Sequence, residues 1–262
     1  MAVEEMFAAA RDAGFTGIEF PLGEIIPIDT PPDRLARIAD AAGKAKCTIV
    51  SLWCSGPLSR NPLNSPDAAL RAKGADVVRR AIDICAALRC EALLLVPGRL
   101  GSGGRLDVGY EDTWNRVTET LRTVVPYAAG KKVCVTPENV WNKFLVSPLE
   151  MRNFVDQFRS PFLQTHFDVG NIMQYGFPQD WILTLGPRIR RVHLKDYKLS
   201  ARAEQGRFVG LLEGDVDWKA VMAAFVKTGY RGFLSPEYGF DTAEPGQIRK
   251  ISAAVDKILE MA

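Results

Sequence analysis

The sequence predicts an α/β protein of the (β/α)8 barrel class, with the first strand of the barrel missing from this chain. Three observations carry this reading. Short apolar, β-rich runs alternate with amphipathic stretches of helical spacing along the whole length. One run, Ala92 to Val96 (ALLLV), is continuously apolar, as expected of a strand covered on both faces in a parallel sheet. The length, 262 residues, suits a barrel of about 250 residues, so residues 1–262 are read as a single domain.

The elements follow in order. Residues 2–13 have helical spacing and stop at Gly14. Thr16 to Phe20 (TGIEF) is a short strand. Residues 31–43 form a helix with Pro31 and Pro32 in its first turn and Gly43 at its end. Cys47 to Trp53 is a strand, and Ser65-Pro66-Asp67 opens a long helix over 66–88. After the ALLLV strand come a helix over 109–129 and a strand over Val133–Pro137. Residues 147–158 are helical, with Pro148 in first position and Ser147 and Glu150 in capping-box spacing. Leu163 to Asp168 is a strand, 178–186 a short helix, and Arg191 to Lys195 a strand. A helix over 217–228, a strand over Gly232–Glu237 and a helix over 245–261 complete the chain. This makes seven strands and eight helices. The chain opens on a helix, whereas a closed eight-stranded barrel opens on a strand.

Composition narrows the class of function. The hydrophobic fraction is 47% and the charged fraction 24%, ordinary for a globular enzyme with a large core. With 33 basic and 31 acidic residues the net charge is +2, and no charged block occurs. This gives no support for nucleic-acid or membrane binding. No apolar run of about 18 residues is present, and the amphipathic N-terminus lacks the pattern of a signal peptide. The five cysteines form no C-x-x-C pair, which reads as reduced, cytoplasmic usage.

Polar residues end four of the strands. Glu138 follows VCVTP, Asp168 follows LQTHF, His193 lies in RVHLKD and Glu237 follows GFLSP. In a parallel barrel, strand C-termini converge on one pocket. Any one such carboxylate could be a helix cap or an ion-pair partner, and a lone histidine is usually structural. Three carboxylates meeting in one pocket would be costly without a cation. The set suits Mn2+, Mg2+, Co2+ or Zn2+ rather than a thiolate-bound metal.

The surrounding segments resemble the sugar phosphate isomerase/epimerase family, the xylose isomerase-like TIM barrels. The resemblance is carried by GFTGIEF (14–20), PENVWNKFLVSPLEM (137–151), FDVGNIMQYGFP (167–178), RVHLKDYK (191–198), EGDVDW (213–218) and Glu237, across nearly the whole chain. In pattern it is most similar to L-xylulose/L-ribulose 5-phosphate 3-epimerases and hexulose-6-phosphate isomerase-like proteins. The resemblance implies that Glu138, Asp168, His193 and Glu237 bind one divalent metal, manganese first, and that Glu138 and Glu237 are also the catalytic acid and base. It implies isomerisation or epimerisation of a ketose or ketose phosphate through a metal-stabilised cis-enediolate.

Departures and secondary candidates complete the reading. Free-sugar ketose 3-epimerases often carry histidine three positions after the aspartate ligand; here Asn171 stands there, which tilts the expectation toward sugar phosphates. Leu211-Leu212 stands where many relatives have glycine. Lys195, Trp141, Asn139, Trp53, His166 and Asn171 are substrate-binding candidates, each with a structural alternative. Glu19 is read as structural or supporting, and Arg60, Lys143 and Lys198 as candidate phosphate partners. The long loops at 54–65 and 98–108 would lie on the catalytic face. Competing functions are a keto-inositol dehydratase, a hydroxypyruvate-type isomerase, a keto-glycoside lyase, or a non-catalytic sugar-binding barrel. An endonuclease IV-like repair enzyme needs more than the two histidines present. The expected partner is a small sugar or sugar phosphate, with no nucleic acid and no membrane. A homodimer is expected to cover exposed sheet edge.

Overall fold

Helix starts and stops show how local chemistry lays out the chain. The structure, a computed structural model, describes residues 1–200, 206–237 and 246–262. Helix α1 (Val3–Asp12) gives way at Gly14, whose φ of +100° only glycine adopts freely. Helix α2 (Pro32–Lys44) begins at the proline pair but runs through Gly43. The left-handed position falls instead on Lys46, at φ +53°. Asp67 caps α3 (Ala68–Ala87) by accepting from the Ala69 amide, and α4 spans Tyr110–Gly130. Ser147 caps α5 (Pro148–Asp156) by accepting from the Glu150 amide. The return arm of the expected capping box goes elsewhere, because the Glu150 carboxylate accepts from the Tyr110 hydroxyl at 2.9 Å. Helices α6 (Pro178–Leu185), α7 (Trp218–Thr228) and α8 (Gln247–Leu259) follow. Position 245, expected to open the last helix, lies outside the described residues.

Between these helices run seven barrel strands: β1 (Gly17–Pro21), β2 (Thr48–Trp53), β3 (Ala92–Leu95), β4 (Cys134–Pro137), β5 (Thr165–Asp168), β6 (Ile189–Leu194) and β7 (Leu234–Pro236). Their pairing is parallel and follows chain order: β1 to β4 form one ladder and β5 to β7 another. Single bridges, Val135 to Leu163 and Glu138 to His166, join β4 to β5. Parallel strands need crossover connections, and the helices provide them. The long loops carry structure of their own, a short helix at Ser55–Ser59 and a two-residue-strand hairpin over 101–106.

The core lies between strands and helices. Phe7, Leu52, Val78, Leu93, Leu121, Phe154 and Leu185 are all buried within it. Each such side chain contributes roughly 1.5–3 kcal/mol on burial. The strand expected to be missing has a structural counterpart: among the described residues β1 and β7 are terminal strands that do not pair with each other. A cavity of about 330 Å³ runs along this seam, lined by Ala10, Phe15, Val50, Phe233 and Ile251, and reaches Glu19, His193 and Glu237. No helix of the described residues is long and apolar enough to cross a membrane.

Candidate metal centre

Register brings the four strand-end groups together. Asp168 closes β5 opposite His193 on β6, and His193 is in turn opposite Ser235 on β7. The Glu138 amide donates to Leu95 at the end of β3, and the Glu237 amide donates to Leu194 at the end of β6. The side chains of Glu138, Asp168, His193 and Glu237 thereby offer ligand atoms that all lie within 4.8 Å of one another. His193 Nδ1 lies 2.9 Å from Glu138 Oε1, 2.7 Å from Glu237 Oε2 and 3.9 Å from Asp168 Oδ2.

The four groups could hold a metal ion. Asp168 Oδ2 and Glu237 Oε2 are buried and make no hydrogen bond. The Lys195 ammonium sits 3.0 Å and 2.9 Å from these same oxygens, close enough for charge but not aligned for hydrogen bonding. Burial pushes the Asp168 carboxyl up to about 7, opposed by Lys195 and reinforced by Glu138 and Glu237. Burial would also raise Glu237, but His193 and Lys195 bring it down to about 2. Burial disfavours charge on His193, yet Glu19, Glu138 and Glu237 hold its pKa well above the usual histidine range. Three oxygens and one nitrogen, two of the oxygens unpartnered, fit a divalent cation of the hard or borderline class.

The motif residues around the site hold it in shape. Both atoms of the Asn139 amide are engaged by the Asp168 backbone: Nδ2 donates to the carbonyl at 2.8 Å and Oδ1 accepts from the amide at 2.9 Å. The Asn171 backbone amide donates to Asp168 Oδ1 at 2.7 Å, and its side chain donates to the Asn139 carbonyl. Trp141 Nε1 donates to the Asn171 carbonyl. A Cβ at Gly170 would collide with Lys195, so glycine is what lets the strand after His193 pass close to Asp168. Asp196 is buried and gathers the 211–218 loop. It accepts from the amides of Leu212 and Val216 and from the Trp218 indole. A Cβ at Gly214 would strike the same carboxylate. Leu212 adopts φ +70°, a left-handed position that glycine occupies more easily, and nothing in the structure explains why leucine stands there.

The remaining candidates are placed unevenly. His166 is fully buried, its ring 4.1 Å from that of His193, and neither nitrogen has a hydrogen-bond partner. Burial, aided by the His193 charge, holds it neutral. Trp53 lines the seam cavity at the end of β2. Of the phosphate candidates, Lys198 is paired with Asp215 at 2.5 Å, Lys143 donates to the Gly103 carbonyl, and Arg60 is exposed beyond the 55–59 helix. Two features escaped the sequence reading. Phe208 stacks on Trp141 at 5.0 Å with Lys195 Nζ 5.5 Å from its ring, making an aromatic wall at the mouth. Glu19 reaches His193 Nε2 at 3.1 Å. The sequence supports a structural or supporting role for Glu19 at the end of its strand, without naming His193 as its partner.

Comparison with known proteins agrees with this fold. An L-ribulose-5-phosphate 3-epimerase of Escherichia coli is 25% identical over 255 residues, covering 92% of this chain and 83% of its own length. The D-psicose 3-epimerase of Clostridium cellulolyticum, solved with D-tagatose, superposes with a TM-score of 0.82 at 16% identity, covering all of this chain and 94% of its own. A 3-keto-D-glucoside 4-epimerase from E. coli superposes with a TM-score of 0.77 at 13% identity, covering 98% of this chain and 94% of its own. The family model of xylose isomerase-like TIM barrels matches residues 7–258, and the chain belongs to that family.

Proposed function

We propose that this chain is a metal-dependent isomerase or epimerase of a ketose or ketose phosphate, with Glu138 and Glu237 as its acid/base pair. The observation that carries the reading is the convergence of Glu138, Asp168, His193 and Glu237 within 4.8 Å, with two carboxylate oxygens that make no hydrogen bond and face only the charge of Lys195 and His193. These four would hold one divalent ion, manganese first among those the donor set suits. When bound, the ion would polarise the substrate's keto group and acidify the adjoining C–H.

The residues do the rest. One of the two glutamates takes the proton from the carbon next to the carbonyl. The other returns a proton from the opposite face, inverting that carbon; return at the neighbouring carbon interconverts ketose and aldose. Lys195, beside Asp168, would donate to the substrate oxygen that gains charge, and the stacked Trp141 and Phe208 would wall the sugar. Asn139 and Asn171 serve by holding Asp168. Five buried, unpaired cysteines favour a reducing compartment, the cytoplasm.

The test is hydrogen exchange. The purified protein, loaded with Mn2+ or Mg2+, is incubated in D2O with a panel that includes L-ribulose 5-phosphate, free ketoses and 3-keto-glycosides. NMR of the recovered sugars shows deuterium at a carbon next to the carbonyl of the true substrate. Metal-loaded protein that exchanges hydrogen at no carbon of any of them would overturn the reading.

A further inference from the structure

Glu19 is none of the four converging groups, yet its carboxylate is buried beside them and well supplied with donors. Its side chain is 7% exposed. Three donors from three different strands converge on it. The Ser51 hydroxyl on β2 reaches Oε2 at 2.5 Å, the Ser235 hydroxyl on β7 reaches Oε1 at 2.5 Å, and His193 Nε2 on β6 lies 3.1 Å from Oε2.

Glu19 accepts a hydroxyl hydrogen at each of its two oxygens, so it has no hydrogen of its own to give His193. The contact therefore places a hydrogen on His193 Nε2. That leaves Nδ1 as the nitrogen able to offer a lone pair, and Nδ1 is the atom facing Glu138, Asp168 and Glu237. We infer that Glu19 is a positioning residue that fixes the tautomer and rotation of the His193 ring, presenting Nδ1 to the cation, while Ser51 and Ser235 hold Glu19 in place. The inference rests on the reading of the four converging groups as a metal site. Carboxylates that orient metal-binding histidines in this way raise the basicity of the ligand nitrogen.

A rival exists in the same atoms. Glu19, His166 and His193 also offer ligand atoms within 4.8 Å of one another. A second cation there would have to take Nε2 from its hydrogen bond and displace two hydroxyl donors from Glu19. It would also make His193 bridge two cations without a proton. The hydrogen-bonded relay satisfies the same groups without those costs. The relay has a structural consequence too. Ser235 and Glu19 stand on the two strands that do not pair, so the bond that steadies His193 also ties the seam.

The experiment uses the full-length chain, titrated calorimetrically with Mn2+, and labelled with 15N-histidine for NMR after loading with Zn2+. Glu19→Ala is expected to weaken the cation roughly 10–100-fold, with Glu19→Gln recovering part of the loss because its amide oxygen can still accept from Nε2. Thermal melts confirm that the Gln variant is folded, so a collapse of the Ala variant does not decide the matter. In the wild type the 15N spectrum is expected to show Nε2 protonated and Nδ1 bound to metal, and in Glu19→Ala a mixture of tautomers. Variants that bind as tightly as wild type with an unchanged spectrum overturn the inference alone. Two cations per wild-type chain, one of them lost in Glu19→Ala, overturn it in favour of the rival. Wild type that binds no cation overturns the metal-site reading and this inference with it.

Discussion

The two sides of the candidate metal centre are built differently. Glu138 and Asp168 stand on β4 and β5, joined by backbone bridges and by the Asn139 amide that clips both backbone groups of Asp168. Glu237 stands beyond β7, at a seam where β1 and β7 are linked through side chains, Ser235 to Glu19. Asp168 is fully buried, whereas the Glu237 side chain is 41% exposed. The contrast teaches that the proposed site pairs a carboxylate held firmly by backbone contacts with one, at the seam, that is partly exposed and more free to move.

The largest effects should be common to both sides. Glu138→Gln and Glu237→Gln are each expected to slow hydrogen exchange into the substrate by roughly 10²–10⁴-fold, read by NMR in D2O. A loss confined to one variant would show that a single residue carries both proton transfers and would break the symmetry of roles. Stability should separate the sides. Asn139→Ala leaves a buried N–H and C=O of Asp168 without partners, at a cost of roughly 2–5 kcal/mol. Ser235→Ala removes one donor from a carboxylate that keeps two others, at roughly 1–2 kcal/mol. Urea denaturation measures both, and equal losses would mean that the seam is as firmly built as the β4–β5 side.

Acidity sharpens the same contrast. In the metal-free site Asp168 titrates near 7 and His193 stays protonated above its ordinary range. A cation binding both must displace their protons. Below pH 7 it displaces two, so its dissociation constant should rise about a hundredfold per pH unit; above pH 7 it displaces only that of His193, about tenfold. The stability of the metal-free protein follows the opposite sign for Asp168. Its folded pKa lies above the unfolded value of about 3.9, so the native state holds the extra proton between about pH 4 and 7. Stability from this group falls as pH rises through that window. Calorimetry across pH 5.5–8.5 with Mn2+ checks the slope, and a tenfold dependence over the whole range would mean that Asp168 is ionised without the metal and only His193 gives up a proton.

Much of this was legible in the sequence because it depends on period and position. Position at strand ends put Glu138, Asp168, His193 and Glu237 in one pocket, and glycines and prolines marked where elements stop. Parity also paired His166 with Asp168 on one face. What could not be read depends on contacts across the barrel. Glu19 and His193 are 174 residues apart, and nothing local in GIEF distinguishes a carboxylate that steadies a histidine from one facing solvent. Ser51 and Ser235 are ordinary hydroxyls until a carboxylate arrives between them. Phe208 lies on a hairpin strand (Arg207–Val209) whose partner, Asp196–Lys198, directly follows β6; only that pairing brings its ring onto Trp141. The role of Gly43 was misjudged for a simpler reason: a glycine near a helix end is a frequent stop, but Lys46 accepts the left-handed turn three residues later.

The smallest expected effect lies on the face opposite the site, where helices hand over to strands. There Gly14 follows α1 and Gly229 follows α7 at positive φ, but Lys46 and Lys132 do the same work after α2 and α4 at φ +53° and +59°. A left-handed turn costs a side-chain-bearing residue about 1–2 kcal/mol. Replacement by glycine relieves it at an entropic cost of about 0.5–1 kcal/mol, and it also forfeits about 0.3–1 kcal/mol of attraction between the lysine and the helix C-terminus. The terms nearly cancel. Lys46→Gly and Lys132→Gly are therefore each expected to shift stability by less than about 1 kcal/mol, in the stabilising direction where strain dominates. Both lysines are exposed, so no packing is lost. Cation affinity should be unchanged in either variant, because the site is held from the strand C-termini; a measurable loss of Mn2+ binding would mean that the turns on the far face set the register of the strands that carry the ligands.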